Sequence, residues 1–169
     1  MDRFDSYAAL LSGESDRGAA LLAGEYLSSL LEDLLRAFLV DNKAVEALFK
    51  GYAPLSTFSG RIDVAFGVGL LRESTRGDLQ FIRKIRNHVA HHPHSVAFIE
   101  SPVKDWCLEL PSTQQMLTYY GAEADNFRRD SRMQFILAVQ FSMFAINKTK
   151  YEIVHRLVPS ETDRRPQMT

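Results

Sequence analysis

The stretch EYLSSLLEDLLRAFL, Glu25 to Leu39, decides the fold class. Leu27, Leu30, Leu31, Leu34, Leu35 and Phe38 recur at spacings of three, four and seven. That is the period of a helix with one apolar face. Upstream, Ser15 suits an N-cap and Asp16 suits the positive end of the helix dipole, so a long helix is expected from there to about Val40. Its first half, GAALLAG, contains Gly18 and Gly24, which weaken a helix. Small residues there predict another helix packed at close range.

The same period extends outward in both directions. A short helix fits residues 4 to 11. Asn42 can cap a third helix that stops at Gly51. YAPLSTFSG is a loop, because Pro54 biases Ala53 away from helical angles. Ser56, Thr57 and Ser59 beside Arg61 suggest phosphate handling, or simply a capped entry to a fourth helix from about Ser59 to Leu71. STRGD is expected to break that helix, and the next begins near Asp78 and ends near His92, before Pro93. SVAFIE and WCLEL, within 95–110, read as extended segments or two small strands. STQQMLTYYG is a short helix ended by Gly121, and a long helix follows from about Ala124 to Val158. The expectation is an all-α bundle of five to six helices, a single domain over residues 1–158 with a flexible tail at 159–169.

Composition narrows the function. The net charge of −1 argues against a general polyanion binder, although a local basic patch remains compatible with it. A single cysteine, Cys107, excludes an intramolecular disulfide, and its place next to Trp106 suits buried packing. The start, MDRFDSYAALLSGESD, is acidic and lacks the pattern of a signal peptide. The longest apolar run, Phe135 to Ile146, contains Gln140 and Ser142 and is too short to cross a bilayer. A cytoplasmic protein without membrane contact is expected.

IRKIRNHVAHHPH, Ile82 to His94, holds four of the five histidines. Leu79, Ile82, Ile85 (or Arg86) and Val89 form the buried stripe of its helix. Arg83, Asn87, Ala90 and His91 lie to one side, His88 and His92 to the other. Between Arg72 and His94 five basic residues stand against two acidic ones. Cations near a helix C-terminus complement its dipole, which is the plainest role for the cluster. His88 and His92 have the i, i+4 spacing of metal ligands. No acid or thiol accompanies them and the local charge repels a dication, so neither a metal nor a cofactor is expected. A partner-binding patch of Arg83, Lys84, His88 and His92 is a further role. The last is metal-independent RNA cleavage, with His91 as acid or base and Arg86 clamping phosphate. Five residues on a straight helix set those two roughly 140° apart, unless the helix unwinds or a two-fold dimer brings copies together.

Three separated blocks carry a resemblance: ESDRGAALLAGEYLSSLLEDLLRAFL (14–39), GYAPLSTFSGRIDVAFGVGLL (51–71) and DLQFIRKIRNHVAHH (78–92). Together they resemble the mannitol operon repressor family, the MltR-like proteins. Within them RNHVAH, Arg86 to His91, is similar to the R-x4–6-H signature of HEPN domains. The first resemblance implies transcription regulation, and a homodimer working through a protein or RNA partner. The second implies an HEPN-type endoribonuclease with Arg86, Asn87 and His91 as its catalytic set. No helix-turn-helix with a basic recognition helix is visible. A regulator rather than an enzyme is the leading expectation. Three further expectations concern single groups. Glu32 and Asp33 are solvated or paired with Arg36. Glu14 to Arg17 supports the Arg86 region. Phe135, Phe141 and Phe144 form core or a dimer seam.

Overall fold

The computed structural model describes residues 3–92 and 97–157, with side chains from Tyr7 to His155. The tail at 159–169, the helix end at Val158, Pro93, His94 and the start of SVAFIE lie outside the described residues. The described chain is all-α. It contains α1 (Arg3–Gly13), α2 (Asp16–Phe38), α3 (Lys43–Leu48), α4 (Phe58–Gly67), α5 (Glu73–His91), α6 (Val103–Glu109), α7 (Pro111–Tyr120), α8 (Asp125–Arg129) and α9 (Ser131–Leu157). Short 3-10 turns occur at Pro54–Ser56 and Gly121–Ala124. Nine helices among the described residues exceed the five or six expected. The pieces not expected as separate helices are α6 and α8, whose seven and five residues show no full apolar period.

The expected caps form. The Ser15 hydroxyl accepts from the Gly18 N–H at 3.0 Å, and Asn42 Oδ1 accepts from the Val45 N–H at 3.0 Å. α2 is the centre of the bundle, packed against α5, α9, α4 and α1. Leu27, Leu31, Leu34 and Leu35 of α2 are fully buried with Leu79, Ile82 and Ile85 of α5 and Phe135, Ala138 and Val139 of α9. Each large apolar side chain buried this way stabilises the fold by about 1.5–3 kcal/mol. The small-residue half of α2 admits a close neighbour, as expected. A Cβ on Gly24 would lie 2.7 Å from Arg86 Cγ of α5.

Four boundaries differ from expectation. α5 begins at Glu73, not near Asp78, because STRGD continues the helix. Gly77 is a place of contact rather than a break: a Cβ there would meet Pro111 Cγ of α7 at 2.7 Å. WCLEL lies in a helix, α6, and no strand occurs among the described residues. A five-residue apolar run cannot distinguish a strand from a buried helical segment by period, and burial of both Val103 and Cys107 shows the i, i+4 choice. α4 ends at Gly67, and Gly69 then takes a φ of 78°, where glycine is favoured. The long C-terminal helix is divided at Asp130, whose φ and ψ of −106° and 84° are not helical. Its carboxylate accepts from the Met133 N–H at 2.8 Å, starting α9. Gln134 donates back to the Phe127 and Arg128 carbonyls that end α8.

Candidate functional site

α5 and its C-cap residue His92 carry the candidate residues, and α5 is bordered by α2, α4, α6, α7 and α9. Its buried stripe takes Ile85 rather than Arg86: Leu79, Ile82 and Ile85 are fully covered and Val89 almost so. What remains divides into two faces and an end.

One face looks over α6. Lys84 Nζ sits 4.3 Å from the ring centre of Trp106. The His88 ring meets the same indole edge-on at 5.3 Å and stacks on His92 at 4.1 Å. His92 Nδ1 lies 2.8 Å from the His88 carbonyl oxygen, which accepts its proton. Partial burial, and then the neighbouring His92, lower the His88 pKa, so His88 favours the neutral form. Lys84, His88 and His92 therefore form an i, i+4, i+8 stripe edged by an indole.

The other face closes a pocket of about 470 Å³ against α2 and the turn leading into α4. Three arginines line it: Arg61, Arg83 and Arg86. Arg61 is fully engaged. It pairs with Glu32 at 2.6 Å and donates to the Leu55 carbonyl, the Ser28 carbonyl and the Ser28 hydroxyl. Arg86 reaches Glu25 Oε1 at 2.6 Å and Asn87 Oδ1 at 3.2 Å. Arg83 donates through Nε to Gln80 at 3.1 Å, and among the described residues its terminal nitrogens have no partner.

The end of α5 is held differently from the expectation that histidines supply its cation. Arg17 Nη1 donates to the Val89 carbonyl at 2.7 Å and the His92 carbonyl at 3.1 Å. The orphan carbonyls of the helix are thus met by a guanidinium from the first turn of α2. Beside it, Asp16 accepts from the Phe98 N–H at 2.8 Å and pairs with Arg132 of α9.

The structure separates residues that the sequence grouped. Arg86 and Asn87 share the pocket with Arg83, whereas His91 is exposed and does not line it. The residues expected to form a partner patch divide too, with Lys84, His88 and His92 on the α6 side and Arg83 on the pocket side. The 14–17 segment supports the end of α5 through Arg17, not Arg86. Glu32 pairs with Arg36 at 2.9 Å as expected and also holds Arg61, while Asp33 pairs with Lys150 at 3.0 Å. Glu25, the actual partner of Arg86, was missed. The only hint of it was Gly24, whose missing side chain lets the Arg86 stem approach α2.

The family model described as Mannitol repressor matches residues 18–154. The chain belongs to the mannitol repressor family. The match runs from α2 through nearly all of α9 and includes both faces of α5. Two solved structures share the fold. One is the MtlR–HPr complex from Escherichia coli, 22% identical, covering 86% of this chain and 99% of that one with a TM-score of 0.64. The other is a possible transcriptional regulator, YggD, from Shigella flexneri, 16% identical, covering 90% and 98% with a TM-score of 0.65. No curated protein matches the chain. Membership in the mannitol repressor family makes this chain a transcription regulator by class, and the endoribonuclease alternative gains no support from these comparisons. No helix among the described residues is long and apolar enough to cross a membrane.

Proposed function

We propose that this member of the mannitol repressor family regulates by binding a protein, that an HPr-type protein is the partner, and that the Lys84, His88, His92 and Trp106 face receives it. The observation that carries this is the complex of a same-fold chain with HPr. The architecture supports it. DNA reading by a helix requires one that projects into the major groove. α5, which bears the basic cluster, is instead bordered by five other helices. The stripe offers one permanent cation, two imidazoles and an indole, a composition suited to a partner with acidic and apolar groups side by side. We propose in addition that the chain is a homodimer joined along α9. Phe135 of the expected aromatic stripe is fully buried, but Phe141 and Phe144 are 44% and 58% exposed, and Tyr151 continues their line.

Isothermal titration calorimetry of the purified chain with an HPr protein tests the partner. The wild type should bind, and the double substitution Lys84→Glu, His88→Ala should weaken binding by about tenfold or more. Lys50→Glu, on a distant exposed position, should not. Absence of any binding by the wild type would remove the HPr-type partner. Unchanged binding by the double variant would move the contact off this face.

A further inference from the structure

We propose that the pocket between α2, the turn before α4, and α5 is a binding site for a small phosphomonoester. It is separate from the partner face, on the opposite side of α5, and does not depend on it.

Three independent features converge there. The first is cationic capacity. Arg61 is engaged by Glu32 and by carbonyl groups, so it shapes the wall. Arg83 lines the pocket, and among the described residues no acceptor meets its terminal nitrogens. Arg86 is held by Glu25, a carboxylate whose side chain is 69% exposed. Such an exposed ion pair is weak, and a doubly charged ligand can displace it. Two guanidinium forks can then face one phosphoryl group, the geometry in which arginine is most effective.

The second feature is the start of α4, a ten-residue helix. The Thr57 hydroxyl accepts from the Gly60 N–H at 3.1 Å. The backbone N–H groups of Phe58 and Ser59 have no acceptor among the described residues, and both residues line the pocket together with the arginines. Orphan donors at the positive end of a helix dipole add to the same anion preference.

The third feature is rigidity and shape. Gly60 packs so tightly on the Pro54 carbonyl that a Cβ would fall 1.7 Å from its oxygen. Gly24 allows the Arg86 stem to lie against α2. The start of α4 and the Arg86 stem are thus placed before a ligand arrives, which lowers the entropy cost of binding. A pocket of about 470 Å³ exceeds what a bare phosphate fills. Its remaining lining includes Ser28, Ser56 and Asn87, groups that pair with a hydroxylated body. The net charge of −1, with Glu25 and Glu32 flanking the arginines, disfavours an extended polyanion.

The test is calorimetric titration of the full chain in chloride buffer at constant ionic strength. The probes are glycerol 3-phosphate, inorganic phosphate and glycerol. Glycerol 3-phosphate should bind saturably and more tightly than inorganic phosphate, and glycerol should not bind. Arg83→Gln and Arg86→Gln should each weaken the ester by about ten- to a hundredfold, and Ser59→Ala by less. Lys50→Gln should leave it unchanged, and melting temperatures should confirm that all variants fold. No saturable binding of either phosphate overturns the site. Equal losses in Arg83→Gln and Lys50→Gln overturn it as unspecific charge attraction. Inorganic phosphate binding as tightly as the ester overturns the assignment to a phosphomonoester. Because the two faces of α5 are probed by different ligands and variants, failure here leaves the protein-contact proposal standing, and the converse holds.

Discussion

Asp78 is a buried carboxyl group whose surroundings favour its protonated form. It is 3% exposed and its carboxylate accepts from the Ser112 N–H at 3.1 Å and the Ser112 hydroxyl at 3.0 Å. Burial pushes its pKa up from 3.8 to about 6, and the two hydrogen bonds offset only part of that rise. Between these two values the folded chain holds a proton that the unfolded chain has released. Stability from this group is therefore greatest below pH 3.8 and is lost as pH rises through about 6. Asp78→Asn keeps an acceptor for Ser112 and removes the buried charge. It should be more stable than the wild type at pH 7.5, by up to about 3 kcal/mol, with the advantage shrinking as pH falls to 4.5. Urea unfolding at several pH values reads this directly, and a pH-independent difference would exclude the ionisation as its cause. At this scale the sequence was partly legible. Cys107 beside Trp106 pointed to packing, and its thiol is buried with its pKa pushed up to about 12. Arg17 and Glu25 were not legible as partners of α5, because their contacts span 61 to 75 positions and no local pattern marks them.

Elements begin and end here for two kinds of reason. Local chemistry placed the starts of α2 and α3, whose caps are bonds to N–H groups three residues on. Tertiary contact decided the start of α5. Gly77 sits within it because Pro111 of α7 occupies the space a side chain would need, and helix propensity alone favours a break there. The turn into α4 shows the same logic and gives a paired prediction. Gly60→Ala must displace the Pro54 backbone and should cost about 2–3 kcal/mol. Gly67→Ala, in the same helix with nothing within 4 Å, should be neutral or slightly stabilising. Thermal melting of both variants compares them at equal chemistry. Equal melting temperatures would mean that the close approach of the turn to α4 is not a constraint in solution.

For the molecule as a whole, the proposed homodimer concerns the side of α9 on which Phe141 and Tyr151 are exposed. An aromatic line that is half exposed in one chain becomes a seam when two chains meet. Light scattering coupled to size exclusion should find twice the 19.2 kDa of the chain. Phe141→Glu should shift that mass to the monomer while leaving helical content intact. A wild-type monomer at micromolar concentration would exclude the seam. The all-α class, the capped helix starts and the buried stripes of α2 and α5 were determined by the sequence, because each follows from the spacing of residues within one or two turns. The tertiary structure decided the rest: the division of the basic cluster between the Trp106 side of α5 and the pocket, the carboxylate that holds Arg86, and the guanidinium that caps α5. Those depend on which helix packs against which and at what distance. Apolar period says that a helix has a buried side, but the neighbour on that side is chosen by shape over the whole chain.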